Sequence, residues 1–257
     1  MGALAYADDV VLVCPTLSAM RRLLSLCDDF ASKYDIQFNA KKSELLICLP
    51  RRRIKTPNQL MKRECMLSIG GNPIEQVQSF SHLGHIITAD LNDREDILHR
   101  RNCFVGQANN MLCFFSKLDS TVRNTPFSTY CNRRCGCELW SLDSSYINEF
   151  GAAWRKAARR VLKLSPDTHN SLLPLLLNSL PFFEDICKRS ARFIISCLQS
   201  KISLVRSVAR FGVLASHCVS PLGRNALYCC SYFGWRFDTF VNGGISMSNN
   251  SGVARNL

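Results

Sequence analysis

Two adjacent carboxylates, Asp8 and Asp9, lie between two short apolar runs in the stretch LAYADDVVLV. Each run is long enough for a strand and short for a helix, and the β-branched residues after Asp9 favour a strand. We therefore predict a hairpin with Asp8-Asp9 at its tip. Neighbouring carboxylates repel each other unless water or a cation screens their charge. The pair belongs either to a solvated turn or to a metal site.

The residues that follow predict the elements around this hairpin. Thr16 is suited to cap a helix, and apolar residues recur after it at helical spacing as far as Tyr34. Asp28 and Asp29 lie mostly off that apolar stripe, so we expect them to face solvent. Asn39-Ala40 indicates a turn, and residues 45–49 have the composition of a strand. Further short apolar segments at 66–69, 74–77 and 83–87, separated by glycines, predict a small antiparallel meander, and the basic segment 51–64 predicts an exposed loop.

From residue 90 onward the periodicity becomes helical. Segments 91–118, 143–164, 181–200 and 201–212 are predicted helices separated by prolines. The stretch EFGAAWRKAARRVLKL has apolar residues on one face and cations on the other, which we call the basic face: Arg155, Lys156, Arg159, Arg160 and Lys163. The basic face is either solvated or in contact with phosphates.

Charge is distributed unevenly along the chain, whose net charge is +12. Residues 1–50 carry five Lys or Arg and six Asp or Glu, whereas residues 151–257 carry fourteen and four. A basic end and an early carboxylate pair suit a protein that follows a phosphate backbone toward a metal site. The alternative is that the basic end only aids solubility.

Composition excludes several classes of protein. The chain is 47% hydrophobic, which is enough for a core and argues against a disordered tail. No apolar run approaches the length of a membrane-spanning helix, so we expect no membrane partner. The fourteen cysteines are scattered through apolar segments, which favours reduced thiols in an intracellular protein of the nucleus or cytoplasm. Cys131, Cys135 and Cys137 form the one tight group, either as part of a zinc site or as ordinary thiols.

Three motifs resemble the reverse transcriptases of non-LTR, LINE-type retrotransposons. YADD between apolar strands resembles their catalytic hairpin, and Asn39, Lys42 and Ser43 fit the N-x-x-K-[ST] turn that follows it. The segment FSHLGHIIT is similar to the F-x-Y-L-G primer grip, with His82 in place of the aromatic residue. Asp35 stands where glycine is common in the family. With the later segments GCELW and AWRKAARRVLKL, the resemblance extends from about Leu4 to about Trp235.

The resemblance implies RNA-directed DNA polymerisation on an RNA template and a DNA primer. Asp8 and Asp9 would then be catalytic residues that bind Mg²⁺ or Mn²⁺, and Lys42 would assist the leaving pyrophosphate. The nucleic acid would contact Tyr6, the primer-grip residues and the basic face: Tyr6, Phe80, Leu83, Gly84, Arg155, Lys156, Arg159, Arg160 and Lys163.

The expected fold class is α+β. Residues 1–89 would form a partial polymerase palm with a hairpin, a helix and small antiparallel strands, followed by an all-helical thumb-like region, 90–140, and a basic helical C-terminal extension, 141–257. Because the family's palm also uses an aspartate on an earlier strand, and its fingers come earlier still, we expect a fragment that is inactive alone. Its partner would be the missing N-terminal polymerase half. The alternatives are a nonenzymatic nucleic-acid-binding remnant and a structural helical protein with accidental motifs.

Overall fold

The computed structural model describes residues 2–48, 66–131, 136–215 and 220–242. The fold is mixed α+β, as predicted, and the chain divides into two compact units, residues 1–92 and 93–257. The described strands belong to the first unit, and the described part of the second unit is helical. The predicted loop at 51–64 and the end of the predicted strand at 45–49 lie outside the described residues.

The first unit begins with the predicted hairpin. β1 (Gly2–Tyr6) and β2 (Asp9–Val13) pair antiparallel. α1 (Leu17–Tyr34) follows, and the hydroxyl of its N-cap Thr16 accepts a hydrogen bond from the backbone N–H of Ala19 at 3.2 Å. α1 ends at Asp35, whose φ of 52° lies in the left-handed region that glycine adopts most easily.

The remaining strands of this unit form short pairs: β3 (Glu44–Leu46), β4 (Ser68–Ile69), β5 (Asn72–Pro73), β6 (Glu75–Val77), β7 (Ser79–His82) and β8 (His85–Thr88). β4 pairs with β5 and β7 with β8, both antiparallel, although the predicted strands did not include β5 or β7. β3 and β6 pair in parallel, so the prediction of a simple meander is wrong there. The long connection between them leaves room for the crossover that a parallel pair requires.

A small core holds α1 against these strands. Leu24 of α1 is buried together with Leu45, Leu67 and Ile69. In addition, a carboxylate oxygen of Asp28 accepts a hydrogen bond from the backbone N–H of Gly70 at 2.8 Å. Asp28, expected to face solvent, therefore links α1 to the turn between β4 and β5.

The second unit contains helices of very different length: α2 (Arg94–Phe114), α3 (Ser120–Pro126), α4 (Ser145–Leu162), α5 (Leu172–Leu176), α6 (Phe182–Leu198), α7 (Ser203–Arg210), α8 (Pro221–Phe233) and α9 (Phe237–Val241). The four predicted helices correspond to α2, α4, α6 and α7, each a few residues shorter than predicted. The π-helical turn Phe127–Cys131 follows α3 directly. The short helices α3, α5 and α9 were not predicted, because one or two turns give too little periodicity to recognise. The prediction also missed α8, although it has 13 residues.

One extended hydrophobic core organises this unit. α4 buries the apolar face predicted from its sequence, with Trp154, Ala158 and Val161 almost fully enclosed. The ring of Phe150, also on α4, lies 5.5 Å from the ring centre of Phe104 on α2 and 5.1 Å from that of Phe182 on α6. The apolar face of α4 therefore joins the helices of this unit and leaves the basic face on the outer side.

Candidate functional site

The hairpin of β1 and β2 places Asp8 in a tight turn and Asp9 directly after it. Because Tyr6 pairs with Asp9, the turn consists of Ala7 and Asp8, and Asp9 is the first residue of β2. The tip is therefore shifted by one residue from the predicted Asp8-Asp9. Ala7 has a φ of 52°, which an L-residue with a side chain rarely adopts. Tyr6, Asp8 and Asp9 are all exposed, so a ligand can reach both carboxylates.

The second motif forms a compact turn that presents Lys42. The side-chain oxygen of Asn39 accepts a hydrogen bond from the backbone N–H of Lys42 at 3.3 Å, and the Ser43 hydroxyl donates to the carbonyl of Asn39 at 3.0 Å. The turn continues as the single 3₁₀ turn Ala40–Lys42, and the Lys42 side chain is exposed. The three residues of the N-x-x-K-[ST] pattern therefore act together, with Asn39 and Ser43 shaping the backbone that carries the ammonium group.

The third motif is the hairpin of β7 and β8. His82 pairs with His85, so its turn is Leu83-Gly84, whose φ values are 49° and 77°. Positive φ at both central positions is the signature of a type I′ turn, which favours Asn-Gly rather than Leu-Gly. Leu83, expected to begin a strand, instead extends from the tip with 52% of its surface exposed. Phe80 is partly buried on β7, where it pairs with Ile87.

Part of the basic face serves the fold. The Arg159 guanidinium donates to the carbonyl of Thr168 at 2.8 Å and to the side-chain oxygen of Asn170 at 2.7 Å, and so ties down the segment after α4. Arg160 donates to the side-chain oxygen of Asn109 on α2 at 2.6 Å. Lys163 caps the helix with a φ of 55°. The Lys163 cap uses only its backbone, so the side chains that hold no other part of the fold within the described residues are those of Arg155, which is half-buried, and of Lys156 and Lys163, which are exposed.

Buried polar side chains, which sequence patterns did not indicate, connect the start of α2 to α8. The indole of Trp140 donates to Asp96 at 2.7 Å, and the backbone N–H of Ser141 donates to Asp93 at 2.6 Å. The side-chain amide of Asn225 donates to the carbonyl of Trp140 and accepts from the backbone N–H of Leu142. Burial raises the pKa of Asp93, although the hydrogen bond from Ser141 opposes this effect. We assign these residues to the fold rather than to chemistry.

The tight cysteine group does not form a metal site within the residues that the structure describes. Cys131 and Cys137 are buried, Cys135 lies outside the described residues, and no cluster of three metal-ligating side chains occurs in the described part of the chain. Burial raises the pKa of the Cys131 thiol above its ordinary value. Cys131 and Cys137 belong to the hydrophobic core of the second unit.

Comparisons with protein-family models, with curated proteins and with solved structures find no match to this chain. The resemblance to reverse transcriptases therefore rests on the sequence motifs alone. Across residues 2–48, 66–131, 136–215 and 220–242, no helix is both long and apolar enough to cross a membrane.

Proposed function

We propose that this chain is part of an RNA-directed DNA polymerase, a reverse transcriptase of the non-LTR retrotransposon type. Residues 1–89 would be a partial palm, 90–140 a thumb-like region and 141–257 a basic helical extension. The observation that carries the proposal is the β1–β2 hairpin, whose two-residue turn exposes Asp8 beside Asp9. Its partners would be an RNA template and a DNA primer, inside the cell in the nucleus or cytoplasm.

The conformations of two turns support this proposal. Ala7 beside the carboxylates and Leu83 in the primer-grip segment both have positive φ without being glycine. A left-handed conformation costs an L-residue roughly 1–2 kcal/mol, and such strained positions cluster at functional sites. Six non-glycine residues of the described part of the chain have positive φ, and two of them, Ala7 and Leu83, lie at hairpin tips within the polymerase motifs.

The exposed carboxylates of Asp8 and Asp9 can supply some of the oxygen ligands of a hard cation. Mg²⁺ takes oxygen ligands and is often held by one or two carboxylates together with water and substrate phosphates, which Asp8 and Asp9 can satisfy. Mg²⁺, or Mn²⁺ in its place, would supply charge stabilisation for phosphoryl transfer. Lys42, exposed on its Asn39-capped turn, would bring a mobile ammonium group to the leaving pyrophosphate.

We also propose that the chain does not extend a primer by itself. The described residues contain no group of three metal-ligating side chains, so Asp8 and Asp9 lack a third carboxylate there. Phosphoryl transfer depends mainly on positioning and charge stabilisation, so an incomplete metal site loses many orders of magnitude in rate. Fingers and early palm beyond the described residues would be needed to complete the site.

A primer-extension assay with a primed RNA template, all four deoxynucleotides and Mg²⁺ or Mn²⁺ tests both statements. We expect no extension by the chain alone, and extension when fingers and early palm are added as a separate chain. Asp8→Asn should abolish the restored activity, while Asp29→Asn, which removes an exposed carboxylate from α1, should preserve it. Activity that Asp8→Asn leaves intact would refute the catalytic role of the hairpin, and failure to restore extension would favour a nonenzymatic role.

The second candidate is a nonenzymatic nucleic-acid-binding protein. The observation in its favour is that residues 186–237 contain eight Lys or Arg and no Asp or Glu. A positively charged region attracts a polyanion such as RNA or DNA, and this attraction needs no catalytic site. Salt-dependent binding that persists in Asp8→Asn, without extension under any of the conditions above, would identify this function.

A further inference from the structure

An open groove lies in the second unit between α2 and the π-helical turn Phe127–Cys131. Its volume is about 490 Å³, within the range of roughly 300–1,000 Å³ that is typical of small-molecule pockets. Gln107 and Asn110 line it from α2, Phe115 lines it from the position directly after α2, and Tyr130 lines it from the turn. π-helical turns are rare and occur frequently at functional sites.

The lining combines two kinds of chemistry. Gln107 and Asn110 are one helical turn apart on the same side of α2, and both are exposed. No hydrogen bond inside the described part of the chain engages either side-chain amide, so each can both donate to a ligand and accept from it. Tyr130 and Phe115 add aromatic surface, with 68% and 38% of their respective surfaces exposed.

A nucleobase matches this combination better than other occupants do. It has a flat face that stacks on an aromatic ring and an edge of donors and acceptors that side-chain amides can pair with. An aliphatic or aromatic side chain of another protein would fill the apolar part but leave the two amides without partners. The described residues that line the groove are uncharged.

We propose that this groove binds an unpaired nucleobase of single-stranded RNA or DNA. The base stacks on Tyr130, and its edge pairs with Gln107 and Asn110. The phosphates remain outside the groove. This proposal rests on the nucleic-acid binding proposed above and adds a site that none of the polymerase motifs includes.

Fluorescence anisotropy with two labelled strands of about eight nucleotides tests the site. One strand is oligodeoxyadenylate, and the other has the same backbone and length but abasic positions throughout. The parent chain should bind the base-bearing strand about 5- to 100-fold more tightly, which is the range expected for stacking of one base. Tyr130→Ala should remove most of this preference and leave the affinity for the abasic strand unchanged.

Two further variants and a control test whether the preference for the base-bearing strand comes from the groove. Tyr130→Phe should keep the preference because it retains the stacking ring, and Asn110→Ala should reduce it by removing an amide. Tyr34→Ala, which removes another exposed aromatic ring on α1, is the matched control and should change neither affinity. The salt dependence should be the same for all variants, because none of them alters a phosphate contact. Circular dichroism confirms that each variant is folded.

The outcomes distinguish this proposal from the proposed function. Equal, salt-dependent binding of both strands by the parent chain would overturn the groove proposal and leave nucleic-acid binding intact. The same conclusion would follow if Tyr130→Ala lowered the affinity for both strands to the same degree. Binding of neither strand would overturn the groove proposal and count against nucleic-acid binding as well.

Discussion

The indole nitrogen of Trp140 lies 2.7 Å from a carboxylate oxygen of Asp96, and both side chains are almost completely buried, at 1% and 4% exposure. A hydrogen bond to a buried carboxylate is stronger than one between neutral groups, and loss of one partner leaves the other unsatisfied. The contact joins the first turn of α2 to the segment before α4, so it stabilises the second unit across a long stretch of chain.

A double-mutant cycle measures this contact. Trp140→Phe and Asp96→Ala should each lower the free energy of unfolding by about 2–4 kcal/mol, and the double variant should lose less than the sum, with a coupling of about 1.5–3 kcal/mol. Urea denaturation provides the values. Trp154→Phe, at an equally buried indole on α4, is the control and should show no coupling with Asp96→Ala. Additive losses for Trp140 and Asp96 would show that the hydrogen bond adds nothing.

Leu83→Asn should stabilise the β7–β8 hairpin. Leu83 has a φ of 49° and precedes Gly84, so the substitution creates the Asn-Gly pair that type I′ turns favour. We expect the free energy of local opening, from hydrogen exchange of the β7 and β8 amides, to rise by about 1 kcal/mol. Leu83→Ala keeps the strained backbone and should bring no gain. A loss of protection from exchange in Leu83→Asn would mean that the Leu83 side chain stabilises the hairpin by more than its positive φ destabilises it.

The hairpin carboxylates should bind a divalent cation weakly. Titration with Mn²⁺ should broaden the amide resonances of Ala7, Asp8 and Asp9 at the tip of the β1–β2 hairpin, because two carboxylates with water complete only a loose site. Asp8→Asn should reduce this broadening strongly. Asp29→Asn on α1 should leave it unchanged. If Asp8→Asn shows the same broadening as the parent chain, the hairpin carboxylates do not bind the cation.

Neutralisation of the free part of the basic face should reduce the salt dependence of duplex binding. Arg155→Gln combined with Lys156→Gln removes two cations that are not used to hold the segment after α4, unlike Arg159. The slope of log affinity against log salt should fall in magnitude by about 1 to 2 units.

The matched control for the basic face removes two cations from α1 instead. Arg22→Gln with Lys33→Gln should leave the slope unchanged, because we assign no phosphate contact to that helix. An unchanged slope in the Arg155 and Lys156 variant would show that the basic face contacts solvent and not phosphates. A slope that falls equally in both variants would indicate an effect of net charge alone.

Alkaline pH should destabilise the second unit through its buried thiols. Burial, assisted by the nearby Glu184, raises the pKa of Cys187 from 9.0 to about 12, and burial raises that of Cys230 to about 11. Above pH 9 the unfolded chain releases these protons while the folded chain keeps them. The stabilisation is therefore complete below pH 9 and is lost as the pH rises toward 11 and 12, by up to about 1.4 kcal/mol per pH unit for each thiol.

Urea denaturation between pH 7 and 10.5 checks this slope. Cys187→Ala should be less stable at pH 7 because it leaves a cavity, yet should lose stability more slowly above pH 9. Cys113→Ala removes an exposed thiol from α2 and should leave the slope as in the parent chain. A slope that Cys187→Ala does not change would assign the alkaline loss to other groups.

The sequence alone was sufficient for the local elements and for the motifs. The β1–β2 hairpin, the Thr16 cap of α1, the Asn39 turn and the apolar face of α4 follow from patterns within a few residues of each other, because turns, caps and amphipathic faces depend on short-range preferences. The same patterns identified the exposed carboxylates and Lys42 as candidates for chemistry. Their catalytic role stays a prediction.

The tertiary structure decided which side chains are free for function and which hold the fold. The sequence does not distinguish Arg159 from the other cations of the basic face, but its guanidinium donates hydrogen bonds to Thr168 and Asn170. Asp28 bonds to Gly70, Trp140 to Asp96, and β3 pairs in parallel with the distant β6. The groove beside Tyr130 is likewise formed by two separate segments. No local pattern predicts these relationships, since each depends on groups far apart in sequence that only packing of the core brings together.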